Sequence, residues 1–191
     1  MNKLKFSAGV SLLFPSLAFA HSNGESGFNL VTGLMHTLTG LDHLAVMLGV
    51  GILAALMGGK SLYRLPVAFV SFVLIGAVMG VMGYTLAFVE FAIALSVIAM
   101  GVMLFSGHKM SAKLALPLVV TFAVFHGMAH GMEVPAGSRE GFFAGFISST
   151  VILHIAGIAM FKLLVNASLN DKIIKAAGVI MAVFGVSLTL S

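Results

Sequence analysis

No cysteine occurs among the 191 residues, so a disulfide framework and a thiolate metal site are both ruled out. A metal held by this chain must be held through nitrogen, oxygen or thioether sulfur. Charge is also scarce. Only 8% of residues are Asp, Glu, Lys or Arg, against about 25% in soluble domains. A G-x-x-x-x-G-K-[ST] phosphate loop is missing, and no long polar stretch offers a soluble domain to carry one, so nothing points to ATP hydrolysis by this chain.

Apolar residues fill the space that charge leaves, with 60% hydrophobic residues and a mean hydropathy of +1.13. A water-soluble core cannot absorb that much apolar surface. At the N-terminus Lys3 and Lys5 precede an apolar run over 6–17 and then Ala18-Phe19-Ala20, the three parts of a secretory signal peptide. Cleavage after Ala20 makes His21 the mature N-terminus, where its α-amine and imidazole can chelate a metal together. The alternatives are an uncleaved anchor and a merely solvated histidine.

About 20 apolar residues cross a bilayer as helix. The hydropathy pattern predicts an all-α polytopic membrane protein, a signal peptide over 1–20 followed by a single domain over 21–191. Its spans fall near 28–57, 65–84, 86–106, 114–132, 141–165 and 173–190. With the mature N-terminus outside, the cytoplasmic segments carry Lys60, Arg64, Lys109, Lys113, Lys162, Lys172 and Lys175, while the exterior has only Arg139. This is the positive-inside bias of a bacterial inner-membrane protein with both mature termini outside. The net charge of +4 therefore reflects topology, not a nucleic-acid partner. Small residues at four-residue spacing, Gly76/Gly80, Gly127/Gly131 and Gly141/Gly145, let helix backbones approach closely in lipid. The first span is too long for a straight crossing and contains the weak helix formers Gly33, Thr37, Thr39 and Gly40, so it begins outside the bilayer or breaks near Gly40.

Ionisable side chains inside spans are expensive and mark function by default. In the first span His36 and His43 lie seven residues apart, nearly on one face, with Asp42 beside them. At the end of the fourth, His126, His130 and Glu133 form one stripe at i, i+4 and i+7. Glu90 sits near the outer end of the third span, as a second partner to a ligand, a proton acceptor or a protonated packing residue. His154 lies near the midplane of the fifth. Helix rise places these groups at depths that allow one externally accessible site. Imidazole suits Ni, Zn, Cu and Fe, and Asp42 with Glu133 would neutralise a buried divalent charge. The bland alternative is a structural polar seam between helices.

The two motifs, His36-Thr37-Leu38-Thr39-Gly40-Leu41-Asp42-His43 and Phe125-His126-Gly127-Met128-Ala129-His130-Gly131-Met132-Glu133, resemble the signatures of the HupE/UreJ family of nickel permeases, accessory to hydrogenase and urease maturation. The first resembles H-P-x-x-G-x-D-H, with Thr37 here in place of proline, which removes the kink that a proline can impose. The resemblance implies Ni2+ as the transported substrate, Co2+ or Zn2+ as lesser candidates, no organic cofactor, and nickel-enzyme maturation proteins as partners. It implies metal recognition by His36, Asp42, His43, His126, His130 and Glu133, with His21, Glu90 and His154 as further candidates. Because a ligating histidine must be neutral, transport is expected to weaken as pH falls through the imidazole range near about 6.5.

Three other readings compete. An intramembrane zinc hydrolase would use the same ligands with Ser148, Ser149 and Thr150 near His154. A haem carrier would pair His43 with His126. A Cu(I) path would use the pairs Met79/Met82, Met100/Met103 and Met128/Met132, although methionine is also ordinary core filler.

Overall fold

The computed structural model describes residues 29–84, 86–107, 110–134, 139–166 and 170–190. The signal segment and His21 lie outside the described residues. Among those described there are seven helices and no strands: α1 (Leu30–Thr39), α2 (Leu41–Met57), α3 (Ser61–Val81), α4 (Val89–Ser106), α5 (Ala112–Glu133), α6 (Arg139–Asn166) and α7 (Asn170–Thr189). α3 to α7 are each long and apolar enough to cross a membrane, which makes this a multi-pass membrane protein.

The first long apolar stretch is two helices, α1 and α2, bent by 83°, and the break falls at Gly40. Its cause is local. The Asp42 carboxylate accepts the His43 backbone N–H at 2.8 Å, taking the amide that would otherwise close onto the Thr39 carbonyl. A short acidic side chain competing with the helix ladder in this way is a known origin of a kink. Helix α1 runs unbroken through Thr37, so the bend does not need a proline there. At its other end Asn29 caps α1, its Oδ1 accepting from the Val31 and Thr32 amides while Thr32 Oγ1 accepts from the Asn29 amide, a reciprocal capping box. Helix α2 stops at Gly58, whose φ of 64° is a left-handed conformation that glycine adopts without penalty.

Helices pair through glycine. α3 packs on α5, α4 on α7, and α6 on both α1 and α2. A Cβ on Gly127 would land on the Val73 carbonyl and one on Gly76 on the Val124 carbonyl; one on Gly131 would meet Ala77, and one on Gly80 would meet Met128. Gly145 lies in the same way against Leu30, and Gly157 against Leu48. These contacts are the close backbone approach expected of small-xxx-small spacing in lipid. Successive helix residues are about 100° apart, so while Gly127 and Gly131 face α3, the adjacent His126/His130 stripe is turned toward α2.

The connections put the C-terminal ends of α3, α5 and α7 at one end of the bundle, with the starts of α1, α4 and α6. Lys60, Arg64, Lys113, Lys162, Lys172 and Lys175 belong to the opposite end, and Arg139 to the first.

Candidate metal centre

His36 comes from the last turn of α1, Asp42 and His43 from the first turn of α2, and His130 and Glu133 from the end of α5. The bend at Gly40 is what allows His36 and His43 to face the same partner. Their ring centroids are 5.5 Å apart, and those of His36 and His130 are 4.6 Å apart. His36, His43 and His130 each offer a ring nitrogen within 4.8 Å of the other two. Asp42, Glu90 and Glu133 line the same cavity of about 450 Å³, together with Gly40 and Thr39. Gly40 matters for space: a Cβ there would crowd Asp42 Oδ1 and His43 Nδ1. The carbonyl end of α1 also points its negative dipole at this region, which favours a cation.

Hydrogen bonds determine which nitrogens are bare. Asp42 Oδ1 lies 2.8 Å from His43 Nδ1, and a carboxylate only accepts, so the His43 proton is on Nδ1 and Nε2 carries a lone pair. That Nε2 is 2.7 Å from His130 Nε2. Without an ion, His130 must donate there, which leaves its Nδ1 bare, buried and without a hydrogen-bond partner. Glu133 Oε2 stands 3.7 Å from this Nδ1. A proton moved from His130 Nε2 to Nδ1 would therefore meet a carboxylate, and both Nε2 lone pairs would be free to share a cation. A carboxylate behind each ligating imidazole is the usual way a metal site orients its histidines.

The other sequence candidates fall in three places. His126 is fully buried, one turn deeper than His130; its ring is 4.9 Å from that of His43, centroid to centroid, but it is outside the three-histidine group. Glu90 lines the cavity and a second one of about 360 Å³ shared with Asp42, Leu188 and Thr189. His154 does not join the cluster. It sits against Phe69, ring centroids 5.3 Å apart, with both ring nitrogens buried and without hydrogen-bond partners. Two contributors carry no motif: Phe69, whose ring approaches both His126 and His154, and Ser96, which bonds His126. Ser96 had one signal, a lone hydroxyl inside the apolar run 91–105.

The geometry weighs against the competing chemistries. Ser148, Ser149 and Thr150 give their hydroxyl protons to carbonyls of their own helix and do not reach His154. The His43 and His126 rings meet edge to face at 4.9 Å, leaving no gap for a porphyrin plane. Met100, Met103 and Met128 are buried core, whereas Met82 and Met132 are exposed, so the methionine pairs form no continuous path.

Residues 9–188 match the protein family described as HupE / UreJ protein. The chain is 37% identical over 180 residues to Protein HupE of Rhizobium leguminosarum bv. viciae, covering 94% of this chain and 93% of the relative. No solved structure matches it.

Proposed function

The chain belongs to the HupE/UreJ family, and from that premise we propose that it is a gradient-driven permease for a divalent transition-metal ion, Ni2+ before Co2+ or Zn2+. The observation that carries this reading is the meeting of His36, His43 and His130 from two sides of one cavity. Imidazole donors suit late first-row metals, and the resemblance to nickel permeases narrows these to nickel. Asp42, Glu90 and Glu133 on the cavity wall offset the ion's two positive charges as its water is stripped.

In this reading the bent pair α1–α2 counts as one broken span, which gives six in all. Discontinuous helices at an ion site are a recurrent transporter device. The lysine-rich end faces the cytoplasm of a bacterial inner membrane, so the cavity and both mature termini face outward. The ion binds at His36, His43 and His130, moves deeper to His126, and leaves past His154. A membrane potential contributes about 2.3 kcal/mol per charge per 100 mV, and roughly twice that for a divalent ion, so inward flow needs no ATP. The proteins served inside are nickel-enzyme maturation factors.

The test is metal accumulation in cells expressing the wild type or the His126→Ala/His130→Ala variant, with nickel, cobalt, zinc and copper supplied separately at trace levels. Nickel uptake is expected in the wild type and its abolition in the variant, with equal protein in the membrane. The same accumulation in both for every metal would overturn the permease reading.

A further inference from the structure

Ser96 is the one polar side chain of α4 between Glu90 and Ser106, and it is 1% exposed. Its Oγ lies 2.6 Å from the Ile93 carbonyl oxygen and 2.9 Å from His126 Nε2. A carbonyl oxygen only accepts, so the single hydroxyl proton must lie on the shorter contact; otherwise two lone pairs would oppose each other there. Ser96 Oγ is thus left to accept, and the N–H it accepts is on His126 Nε2. A neutral imidazole carries one N–H, so His126 Nδ1 is a bare lone pair. That atom is buried and has no hydrogen-bond partner, a costly arrangement unless something else uses it.

We propose that Ser96 is a positioning residue that holds His126 in the Nε2–H form, making His126 Nδ1 a second, deeper metal station that receives the divalent ion from the His36/His43/His130 group. The proposal rests on the permease reading and adds to it the atom that the deeper step uses and the residue that prepares it. His43 is the link, since its ring contacts those of both His130 and His126. Both stations use one device, an oxygen that takes the ring N–H: Asp42 behind His43 and Ser96 behind His126. The oxygens differ in charge. A carboxylate makes its imidazole the more basic ligand, so a neutral hydroxyl makes His126 the weaker one. A weaker second station suits passage, because an ion that binds too well does not leave.

The experiment has three arms. Nitrogen-15 NMR of histidine-labelled full chain in lipid nanodiscs, with His126 assigned by loss of its signals in His126→Gln, is expected to show Nε2 protonated and Nδ1 bare. Trace Ni2+ uptake is expected to fall about ten- to a hundredfold in Ser96→Ala and to be largely kept in Ser96→Thr, which retains the hydroxyl. Equilibrium dialysis of purified Ser96→Ala against Ni2+ is expected to show unchanged binding at the outer group. The wild-type spectrum decides the tautomer without any variant, and a protonated Nδ1 would overturn the proposal. So would wild-type uptake by Ser96→Ala, or equal loss in Ser96→Ala and Ser96→Thr, at equal membrane abundance. If the wild type moves no metal, the permease reading fails while the NMR result still stands on its own.

Discussion

Two buried regions of this bundle hold histidine on very different terms. At the cavity end, His43 gives its Nδ1 proton to Asp42 and faces His130 through Nε2, and Glu133 stands behind His130. Near the middle of α6, His154 has no hydrogen-bond partner for either nitrogen and rests against Phe69, beside an apolar groove lined by Pro66, Val67 and Ile155. In the first region Asp42 already orients His43 and Glu133 stands near enough to receive the His130 proton, so little reorganisation is needed to take an ion. The second has an imidazole held by packing alone, with no acceptor to fix which nitrogen carries the proton. Burial alone therefore does not identify a binding group; orientation by a neighbour does.

The comparison breaks most severely if the cavity histidines prove dispensable. His43→Ala removes the ring that contacts those of both His130 and His126 and is expected to lower nickel uptake by about a hundredfold or more, above the range for losing a supporting residue. Uptake within a few-fold of wild type, at equal membrane abundance, would remove the distinction between the regions. Asp42→Asn keeps the shape and loses the charge behind His43; the expected loss is about ten- to a hundredfold, read in the same assay as a rise in the nickel concentration giving half-maximal uptake.

Smaller effects sharpen the contrast. Gly127→Ala puts a methyl against the Val73 carbonyl and forces α3 and α5 apart beside the His126/His130 stripe. A cost of about 1–3 kcal/mol is expected, visible as a lower thermal unfolding midpoint in nanodiscs; an unchanged midpoint would mean the seam is slack. His154→Leu replaces two unpartnered nitrogens with apolar atoms and is expected to stabilise the fold by about 1 kcal/mol. It should slow uptake less than either cavity variant. Full uptake by His154→Leu would take this residue off the ion's route.

Much of this was legible before the fold. The helical, membrane-spanning character followed from hydropathy, because a segment that cannot leave its backbone unsatisfied in lipid has few options. The α5 motif was legible because residues one or two turns apart share a helix face whatever the helix packs against, whereas His36 and His43, expected on one face of one helix, stand on two helices bent by 83° and meet through that bend. The break near Gly40 was one of two options left open by an overlong first stretch, and the Asp42 carboxylate on the His43 amide decided between them. The grouping was less legible. His126 and His130 share a stripe, yet His130 enters the three-nitrogen group and His126 instead bonds Ser96, a residue that no spacing rule links to it. His154 had a depth compatible with the others and still stands apart, against Phe69 from α3.

The sequence by itself determined which atoms were available: no thiolates, seven histidines, and carboxylates next to some of them, set on apolar helices by hydropathy and covalent spacing. The tertiary structure decided which of these meet and in which protonation form. That depends on how far each helix is rotated and where it crosses its neighbour, which glycine seams such as Gly76/Gly127 and Gly33/Gly145 set across 51 and 112 residues of chain. Periodicity within one helix carries no information about that rotation, and so none about the partner that a histidine finds.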